Sequence, residues 1–272
     1  MNERRRVVEA ALGRRVERYR EIDEGWDSVV AVADEEWIFR FPRRPQIERR
    51  LESEIALLPE LAPTLPVTVP RFEHVVRVPL LCVGYRMIEG EPFTAAVPHE
   101  QVAAFLSALH RFDVERAEEL GVQHSEWSAR YVEQCDEFAR EVLPLLDGAE
   151  RGMAHALFAE AWALRDFTPA VVHNDLGPEH LLCRGRRLVG VIDWGDVRVG
   201  DPAIDFAWLL HGTPPGYGDA LLAAYEGSAD ERLRERARFY HRLAPWYDAH
   251  YGVTCDRPGN LDTGLRGIRE RL

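Results

Sequence analysis

The chain has 272 residues, a formal net charge of -12 at pH 7, 46% hydrophobic residues and 29% charged residues. This length allows one large domain or two smaller ones with a substantial core, and the composition is that of an ordinary globular protein. The acidic balance argues against general nucleic-acid binding, and no run of about 18 apolar residues predicts a membrane span. The N-terminus lacks the pattern of a secretory leader, so we expect a cytoplasmic protein, and we expect a monomer.

Two residue types exclude particular chemistries. The chain has four cysteines, at Cys82, Cys135, Cys183 and Cys255. They are far apart and form no CxxC pair, so neither a structural zinc site nor a disulfide framework is expected. All 34 basic residues are arginine. The absence of lysine excludes Schiff-base chemistry and a Walker A loop.

Apolar periodicity predicts one helix and two strands at the N-terminus. Residues 1–20 carry apolar side chains at helical spacing and predict a first helix. Strands are predicted over 28–32 and 37–41, with a polar turn between them. In the second strand, the alternation places Arg40 on the face opposite to the aromatic side chains.

Residues 47–61 predict an amphipathic helix with an acid on its apolar stripe. Glu54 lies on that stripe, seven positions from Ile47, whereas Glu52 lies well off it. Because an unpaired buried carboxylate costs free energy, Glu54 needs a partner.

Helix 47–61 is followed by a proline-rich stretch over 59–70 and by strand-like segments over 71–78 and 80–88. The pattern then breaks at Gly90-Glu91-Pro92, which predicts a hinge. The chain beyond this break is mainly helical. The predicted elements are helices over 100–111, 126–146, 150–165, 203–210, 217–225 and 231–251, and short buried strands over 170–172 and 188–192.

These elements predict an α+β fold with two lobes. Residues 1–88 form a small sheet-rich N-terminal lobe, residues 89–92 form the hinge, and residues 93–272 form a larger, mainly helical C-terminal lobe.

Two aspartates follow the two buried strands of the C-terminal half. Asp175 follows the first strand and Asp193 the second, and residues 184–187 fit the turn of a hairpin that joins them. Strand ends are where open sheets place ligand groups, so Asp175, His180 and Asp193 are expected near one point. Two carboxylates and an imidazole there could hold a divalent ion and leave one carboxylate as a base.

This layout matches the phosphoryl-transfer template, in which a catalytic loop HRDxxxxN precedes a metal-binding DFG. The chain resembles antibiotic phosphotransferases of the aminoglycoside and macrolide type, whose fold is similar to that of eukaryotic protein kinases. The resemblance rests on segments that occur in the expected order: EGWDS from 24, WIFRFP from 37, SEIALL from 53, YRMIEGEP from 85, HND from 173, and IDWGD from 192 with GDPAIDF from 200.

The resemblance implies roles for the residues near the predicted metal site. Asp175 is expected to accept or orient the proton of the substrate hydroxyl, and Asp193 is expected to bind the Mg²⁺ that bridges the phosphates. His180 stands where the family usually has Asn, so we expect an imidazole as second metal ligand, with a plain loop residue as the alternative. His173 and Asp205 are expected to support the catalytic loop.

The resemblance also implies a nucleotide site with Mg²⁺ and ATP or GTP as co-substrate. Backbone amides from Gly25 to Ser28 are expected to cover the phosphates, with the Ser28 hydroxyl as a hydrogen-bond donor. Met87 and Ile88, or their neighbours, are expected to present backbone groups to the base, which leaves adenine and guanine both open.

Arg40 is the main departure from the family pattern, because kinase-like enzymes usually carry a Lys there, paired with an acid on the next helix. Arg keeps its charge and can bind phosphate through two nitrogens, so the role can survive. Glu54 is its expected partner, although Arg43 and Arg50 are alternative partners for that acid.

The function predicted from the resemblance is Mg²⁺-dependent transfer of a nucleotide γ-phosphate to a hydroxyl of a small-molecule antibiotic, most readily an aminoglycoside. The partners are then an NTP and this acceptor, without nucleic acid or membrane. Residues 210–217 lack the acidic cluster that aminoglycoside kinases often have, which favours a macrolide, a basic peptide antibiotic or another small metabolite as alternatives.

Two other classes compete with this prediction. His173, Asp175 and His180 mimic the ligand set of a non-haem iron oxygenase, which would need an all-β cupin pattern. A catalytically silent nucleotide-binding protein is favoured by the Arg40 departure and disfavoured by the retained aspartates.

Overall fold

The computed structural model describes residues 3–23, 25–125, 131–164 and 166–272. The helices of these residues are α1 (Glu3–Leu12), α2 (Pro45–Leu61), α3 (His99–His110), α4 (Val114–Glu119), α5 (Glu133–Glu141), α6 (Gly148–Ala163), α7 (Ala207–His211), α8 (Tyr217–Ala224), α9 (Leu233–Thr254) and α10 (Pro258–Arg271). The strands are β1 (Tyr19–Ile22), β2 (Ser28–Ala33), β3 (Trp37–Pro42), β4 (His74–Val76), β5 (Cys82–Arg86), β6 (Glu91–Pro92), β7 (Ala170–Val172), β8 (Leu181–Arg184), β9 (Arg187–Val191) and β10 (Arg198–Gly200).

The N-terminal part is an antiparallel five-stranded sheet in the order β1-β2-β3-β5-β4. One face of β3 buries Trp37, Phe39 and Phe41, and α1 packs on this apolar cluster through Val7 and Val8. The alternation of β3 turns Arg40 to the other face, where α2 lies. The predicted strands β2 and β3 and the predicted helix α2 are confirmed.

The prediction of one helix over residues 1–20 was wrong in its second half. Helix α1 ends at Leu12, Gly13 follows with a left-handed φ of 66°, and residues 19–22 form the edge strand β1. Glycine is the residue that most easily adopts this conformation at the end of a helix. The apolar spacing continues to Val16 because this side chain is buried against the sheet, not because the helix is longer.

The C-terminal part holds two small antiparallel sheets, β6-β8-β9 and β10-β7. A turn at 184–187 was predicted correctly, but it joins β8 to β9, so the predicted hairpin between β7 and β9 was wrong. Strand β7 pairs with β10 instead. Strand β8, in which Leu181, Leu182 and Cys183 are buried, was not predicted.

The connection between the two parts runs through residues 87–90, which lie outside any helix or strand. Strand β6, directly after them, already pairs with β8 of the C-terminal part. The exact division at 1–88, 89–92 and 93–272 stays a prediction.

Helices dominate the C-terminal part, as predicted, and they enclose a core that contains Phe105, Phe138, Phe206, Phe239 and Trp246. Helix α10 was not predicted, because its glycines weaken the helical signal. Those glycines allow close packing: a Cβ on Gly264 would lie 2.3 Å from the backbone nitrogen of Ala249 in α9. Of the predicted helix 126–146, residues 126–130 lie outside the described residues, and the helix α5 covers only Glu133–Glu141.

This α+β architecture confirms the predicted fold class and leaves no place for the all-β pattern of a cupin oxygenase. The cysteines are free, as expected. Among the described residues, no helix is both long and apolar enough to cross a membrane.

A buried ion network attaches α9 to the segment that follows β10. The Arg236 side chain is 1% exposed and donates from Nε to Asp201 Oδ2 at 2.8 Å and from Nη2 to Asp230 Oδ2 at 2.7 Å. The Tyr240 hydroxyl donates to the same Asp201 oxygen at 3.1 Å. Asp201 also begins the short turn that leads to Asp205.

We expect Arg236→Leu to lower the free energy of unfolding by about 3 kcal/mol, because it leaves the buried carboxylate of Asp201 without its charged partner. Urea unfolding followed by circular dichroism measures the change. Arg234→Leu is the matched control on the same helix: its exposed pair with Asp219 predicts a change within about 0.5 kcal/mol. Equal losses in both variants would contradict a specific role for the buried network.

Candidate active site

A buried ion pair connects the central strand of the N-terminal sheet to helix α2. Arg40 Nη1 donates to Glu54 Oε1 at 2.6 Å, and the Glu54 side chain is completely buried. Burial by itself lowers the pKa of Arg40, but the carboxylates of Glu54 and Asp193 outweigh it, so the pKa is raised and Arg40 stays protonated. The pairing expected for Glu54 is therefore present.

The alternative partners of Glu54 are engaged elsewhere. Arg43 donates to the carbonyl of Gly25 and to Asp23. Arg50 Nη1 donates to Asp196 Oδ1 at 2.9 Å and to Asp27 Oδ2 at 3.2 Å.

The free end of Arg40 faces Asp193. Arg40 Nη2 lies 3.6 Å from Asp193 Oδ1, across the gap between the N-terminal sheet and the end of β9. Asp193 has a left-handed φ of 62°, which turns its carboxylate out of the strand direction. A Cβ on Gly195 would lie 3.0 Å from Arg40 Nη2, so a larger residue in this turn would press on the guanidinium.

His180 lies between the two aspartates that the sequence predicted to converge. Its Nδ1 is 3.7 Å from Asp175 Oδ2, and its Nε2 is 3.8 Å from Asp193 Oδ2. The Nδ1–H donates to the Asp175 carbonyl at 2.6 Å, which places Nε2 on the side of Asp193, where it offers a lone pair when the ring is neutral. The Ile192 N–H donates to the His180 carbonyl at 3.0 Å and holds this residue beside the end of β9.

The charges of this cluster shift the pKa values of its members. Burial raises the pKa of Asp175 to about 6, although the positive charge of His180 acts in the opposite direction. Burial disfavours the charged form of His180, but Asp175 and Asp193 outweigh it and its pKa is raised. Burial also acts to raise the pKa of Asp193, but Arg40 and His180 reverse this effect and the pKa is lowered. Asp193 therefore stays ionised, while Asp175 titrates closer to neutrality.

The site is open to small ligands. The side chains of Asp175 and Asp193 are 58% and 54% exposed, whereas His180 is 14% exposed. No group of three or more His, Cys, Asp or Glu side chains in the described part of the chain is arranged to hold a metal by itself. His180 and Asp193 form a two-donor set, which suits an ion such as Mg²⁺ that takes its other ligands from water and substrate phosphates.

Asp205 braces the loop that carries Asp175. Its two carboxylate oxygens accept the backbone N–H groups of His173 and Asn174, each at 2.8 Å. The His110 ring makes a third contact with Asp205 at 3.1 Å and reaches Tyr225 with its other nitrogen. These contacts hold Asn174 at a left-handed φ of 71°, immediately before Asp175.

His173 supports the same loop from inside the core. It is fully buried, its Nε2–H donates to the Ile192 carbonyl at 2.9 Å, and its ring packs edge-on against Trp194. Burial lowers the pKa of His173, so the ring is neutral. The contacts of His173 and Asp205 are those of supporting residues.

The residues expected to contact the nucleotide lie at two places in the N-terminal part, before β2 and after β5. Gly25 and Ser28 bound the turn before β2, and a Cβ on Gly25 would lie 2.9 Å from the Ser28 carbonyl. The adjacent Glu24 lies outside the described residues. Met87 and Ile88 directly follow β5, and the Met87 N–H donates to the Glu36 carbonyl at 2.8 Å. The nucleotide roles of these residues stay predictions.

One part of the site was not predicted from the sequence. Arg50 lies one helical turn before Glu54 and bridges Asp27, beside the turn at Gly25, to Asp196, beside Asp193. The i,i+4 spacing from Glu54 to Arg50 was the available signal, because it places both side chains on one side of α2.

Known proteins share both sequence and fold with this chain. Residues 18–240 match the model of the phosphotransferase enzyme family. Viomycin phosphotransferase from Streptomyces vinaceus is 35% identical over 136 residues, which are 47% of this chain and 46% of that protein, so the alignment spans about half of either protein.

Solved structures share the fold over nearly the full chain. The GDP and kanamycin complex of APH(2")-IIia has a TM-score of 0.86 and 23% identity, with 97% of this chain and 96% of that chain covered. The apoenzyme of macrolide 2'-phosphotransferase MphH from Brachybacterium faecium has a TM-score of 0.74 and 22% identity, with 96% of each chain covered.

We expect Glu54→Gln to lower the free energy of unfolding by about 3 kcal/mol, because it removes one charge of a buried pair. This figure is at the low end for such changes, since Asp193 offers Arg40 a second carboxylate. Glu52→Gln is the control on the same helix: its exposed pair with Arg77 predicts a change within about 0.5 kcal/mol. Urea denaturation compares the two variants, and a Glu54→Gln protein as stable as Glu52→Gln would refute the importance of the pair.

Proposed function

Because the chain belongs to the phosphotransferase enzyme family, we propose that it transfers the γ-phosphate of ATP or GTP to a hydroxyl of a small-molecule antibiotic. The observation that carries this proposal is the position of His180 between Asp175 and Asp193, within 4 Å of both carboxylates and opposite the guanidinium of Arg40. Phosphoryl transfer depends on positioning and charge neutralisation, and this cluster brings a base, a metal-binding acid and a cation to one point.

Asp193 and His180 are the proposed Mg²⁺ ligands. Asp193 is ionised and half exposed, and the Nε2 lone pair of His180 lies on its side. A nitrogen donor is less favourable for Mg²⁺ than oxygen, so Asp193 is the main ligand. When bound, Mg²⁺ supplies the positive charge that neutralises the nucleotide phosphates.

Asp175 is the proposed base. Its carboxylate is exposed toward the gap, and its pKa of about 6 leaves it mostly ionised at neutral pH, as a group that accepts a proton must be. The braces from Asp205 to the loop hold this carboxylate in place while it accepts or orients the proton of the substrate hydroxyl.

Arg40 is the proposed phosphate-binding cation, in place of the usual lysine. Glu54 holds one of its nitrogens, and the other, 3.6 Å from Asp193, faces the metal site. The guanidinium fork suits phosphate oxygens and is always charged.

The nucleotide is proposed to lie in the gap between the two parts. Gly25 to Ser28 would cover the phosphates, and residues 87–88 would contact the base. Because the Met87 N–H already donates to the Glu36 carbonyl, the Met87 carbonyl and Ile88 are the groups proposed to contact the base. The proposal leaves ATP and GTP as equal candidates.

The acceptor is proposed to be an aminoglycoside-type antibiotic. The net charge of -12 favours a cationic acceptor, and a structure with the same fold is a kanamycin complex. Viomycin and a macrolide are the second candidates, because they are named in the other similar proteins.

The protein is also proposed to be a cytoplasmic monomer. Light scattering after size exclusion tests the oligomeric state.

A transfer screen tests the proposed function. The protein is incubated with Mg²⁺ and either ATP or GTP, together with aminoglycosides, macrolides or viomycin, and phosphorylated acceptor is detected by mass spectrometry. We expect a product with at least one acceptor. Nucleotide binding without any product would instead favour the catalytically silent alternative.

We expect Asp175→Asn to reduce kcat by about 10²-fold or more, because an amide cannot accept the proton, while the nucleotide Kd changes little. Asp219→Asn changes an exposed carboxylate on α8; it is the control and should behave as wild type. Loss of nucleotide affinity as large as the loss of kcat would contradict the assignment of Asp175 as base.

We expect Asp193→Asn to weaken Mg²⁺-nucleotide binding by about tenfold or more, because one full charge leaves the metal site. Calorimetric titration of the nucleotide with and without Mg²⁺ separates the two contributions. The metal-free affinity should not decrease, since the variant removes a negative charge. An unchanged affinity for the Mg²⁺ complex would show that Asp193 is not the metal ligand.

A further inference from the structure

An aromatic stack joins the turn before β2 to the long C-terminal helix α9. The rings of Trp26 and Tyr251 have centroids 4.2 Å apart and an interplanar angle of 13°. Trp26 lies between Gly25 and Ser28, in the turn proposed to cover the nucleotide phosphates, whereas Tyr251 belongs to the C-terminal part. The stack therefore crosses the gap in which the nucleotide is proposed to lie.

The residue next to Trp26 is linked across the same gap through Arg50 of α2. Asp27 accepts from Arg44 at 2.6 Å and from Arg50 at 3.2 Å, and Arg50 also donates to Asp196 at 2.9 Å. Asp196 lies in the short turn after Asp193. The turn is thus attached to the C-terminal part directly by the stack on α9 and indirectly by the Arg50 bridge to the segment that carries Asp193.

These two attachments end at different places in the C-terminal part. The ion bridge ends beside Asp193, on the metal side. The stack ends on Tyr251, near the C-terminal end of α9.

The stack also explains an unusual feature of the turn. A loop that covers phosphates ordinarily relies on several glycines and on a lysine elsewhere. Between 25 and 28 this turn has one glycine, a bulky Trp and an acid, and the chain has no lysine. Contacts across the gap supply the closure that the backbone of this turn does not.

We propose that Trp26 and Tyr251 are positioning residues whose stack latches the turn 25–28 onto α9, so that closure over the nucleotide phosphates depends on a helix of the C-terminal part. This inference rests on the proposed function, because the ligand of the turn is taken to be a Mg²⁺-nucleotide. Tyr251 then affects nucleotide affinity from outside the N-terminal sheet.

A double-mutant cycle tests the latch. Affinity for the Mg²⁺ complexes of the β,γ-imido analogues of ATP and GTP is measured by calorimetry for wild type, Trp26→Leu, Tyr251→Leu and the double variant. Leucine is a smaller side chain that stays apolar and removes the ring stack. We expect each single variant to raise Kd by about three- to tenfold, which is the range of an aromatic pair, and the double variant to add little to either.

Conservative variants and transfer kinetics separate a positioning role from a structural one. Tyr251→Phe keeps the ring and should retain wild-type Kd. If an acceptor is known, Tyr251→Leu should raise the KM for the nucleotide and increase hydrolysis by water relative to transfer, because an open turn admits water. The melting temperature without nucleotide should change little.

The possible results decide between the two proposals. A wild-type protein that binds neither analogue overturns both the proposed function and the latch. A wild-type protein that binds, together with a Tyr251→Leu protein of unchanged Kd or with fully additive effects in the double variant, overturns the latch alone. Should Trp26→Leu not fold, Tyr251→Leu against Tyr251→Phe still decides the question.

Discussion

A charge that is removed from water must have an opposite charge beside it, and Arg40 meets this requirement twice. One nitrogen is held by the buried Glu54, and another faces the half-exposed Asp193. Arg40 lies on the central strand of one part and Asp193 at a strand end of the other, so this charge pairing is one of the contacts that join the two parts. The gap between them is lined by groups whose charges are complementary to a metal–phosphate complex.

The second constraint concerns the loop around Asp175. The backbone at Asn174 adopts a conformation that few residues other than glycine tolerate, and it is sustained by a carboxylate that accepts two consecutive N–H groups. Asp205 is itself held by His110 and by the turn that Asp201 begins. The buried pair of Arg236 and Asp201 thus belongs to the support of the site, although it lies outside the gap.

The site could be predicted in outline because its chemistry is carried by residues whose types are unusual for their positions. Glu54 interrupts an apolar stripe, Arg40 occupies a strand that is otherwise aromatic, and Asp175 and Asp193 end apolar runs. Glu54 and Arg40 are buried and costly to place without a compensating contact, whereas Asp175 and Asp193 were indicated by their positions after apolar runs. The bridge from Arg50 to Asp27 and Asp196 gave no such indication, since partly exposed charges on a helix are common and the partners are far apart in the chain. The stack of Trp26 on Tyr251 joins residues 225 positions apart, so it could not be predicted from the sequence either.

Local pattern by itself determined the strands β2 and β3, the helix α2, the order of the two parts and the residue types of the catalytic cluster, because apolar periodicity and misplaced charges are local properties. Tertiary structure decided which strands pair, since β7 is too short to specify a partner and joins β10 rather than β9. It also decided the conformation of residues 13–22, where Gly13 ends a helix that the apolar spacing would have continued. Tertiary structure also decided the contacts across the gap. These contacts depend on the proximity of opposite charges and of aromatic rings, and that proximity exists only once the chain has folded.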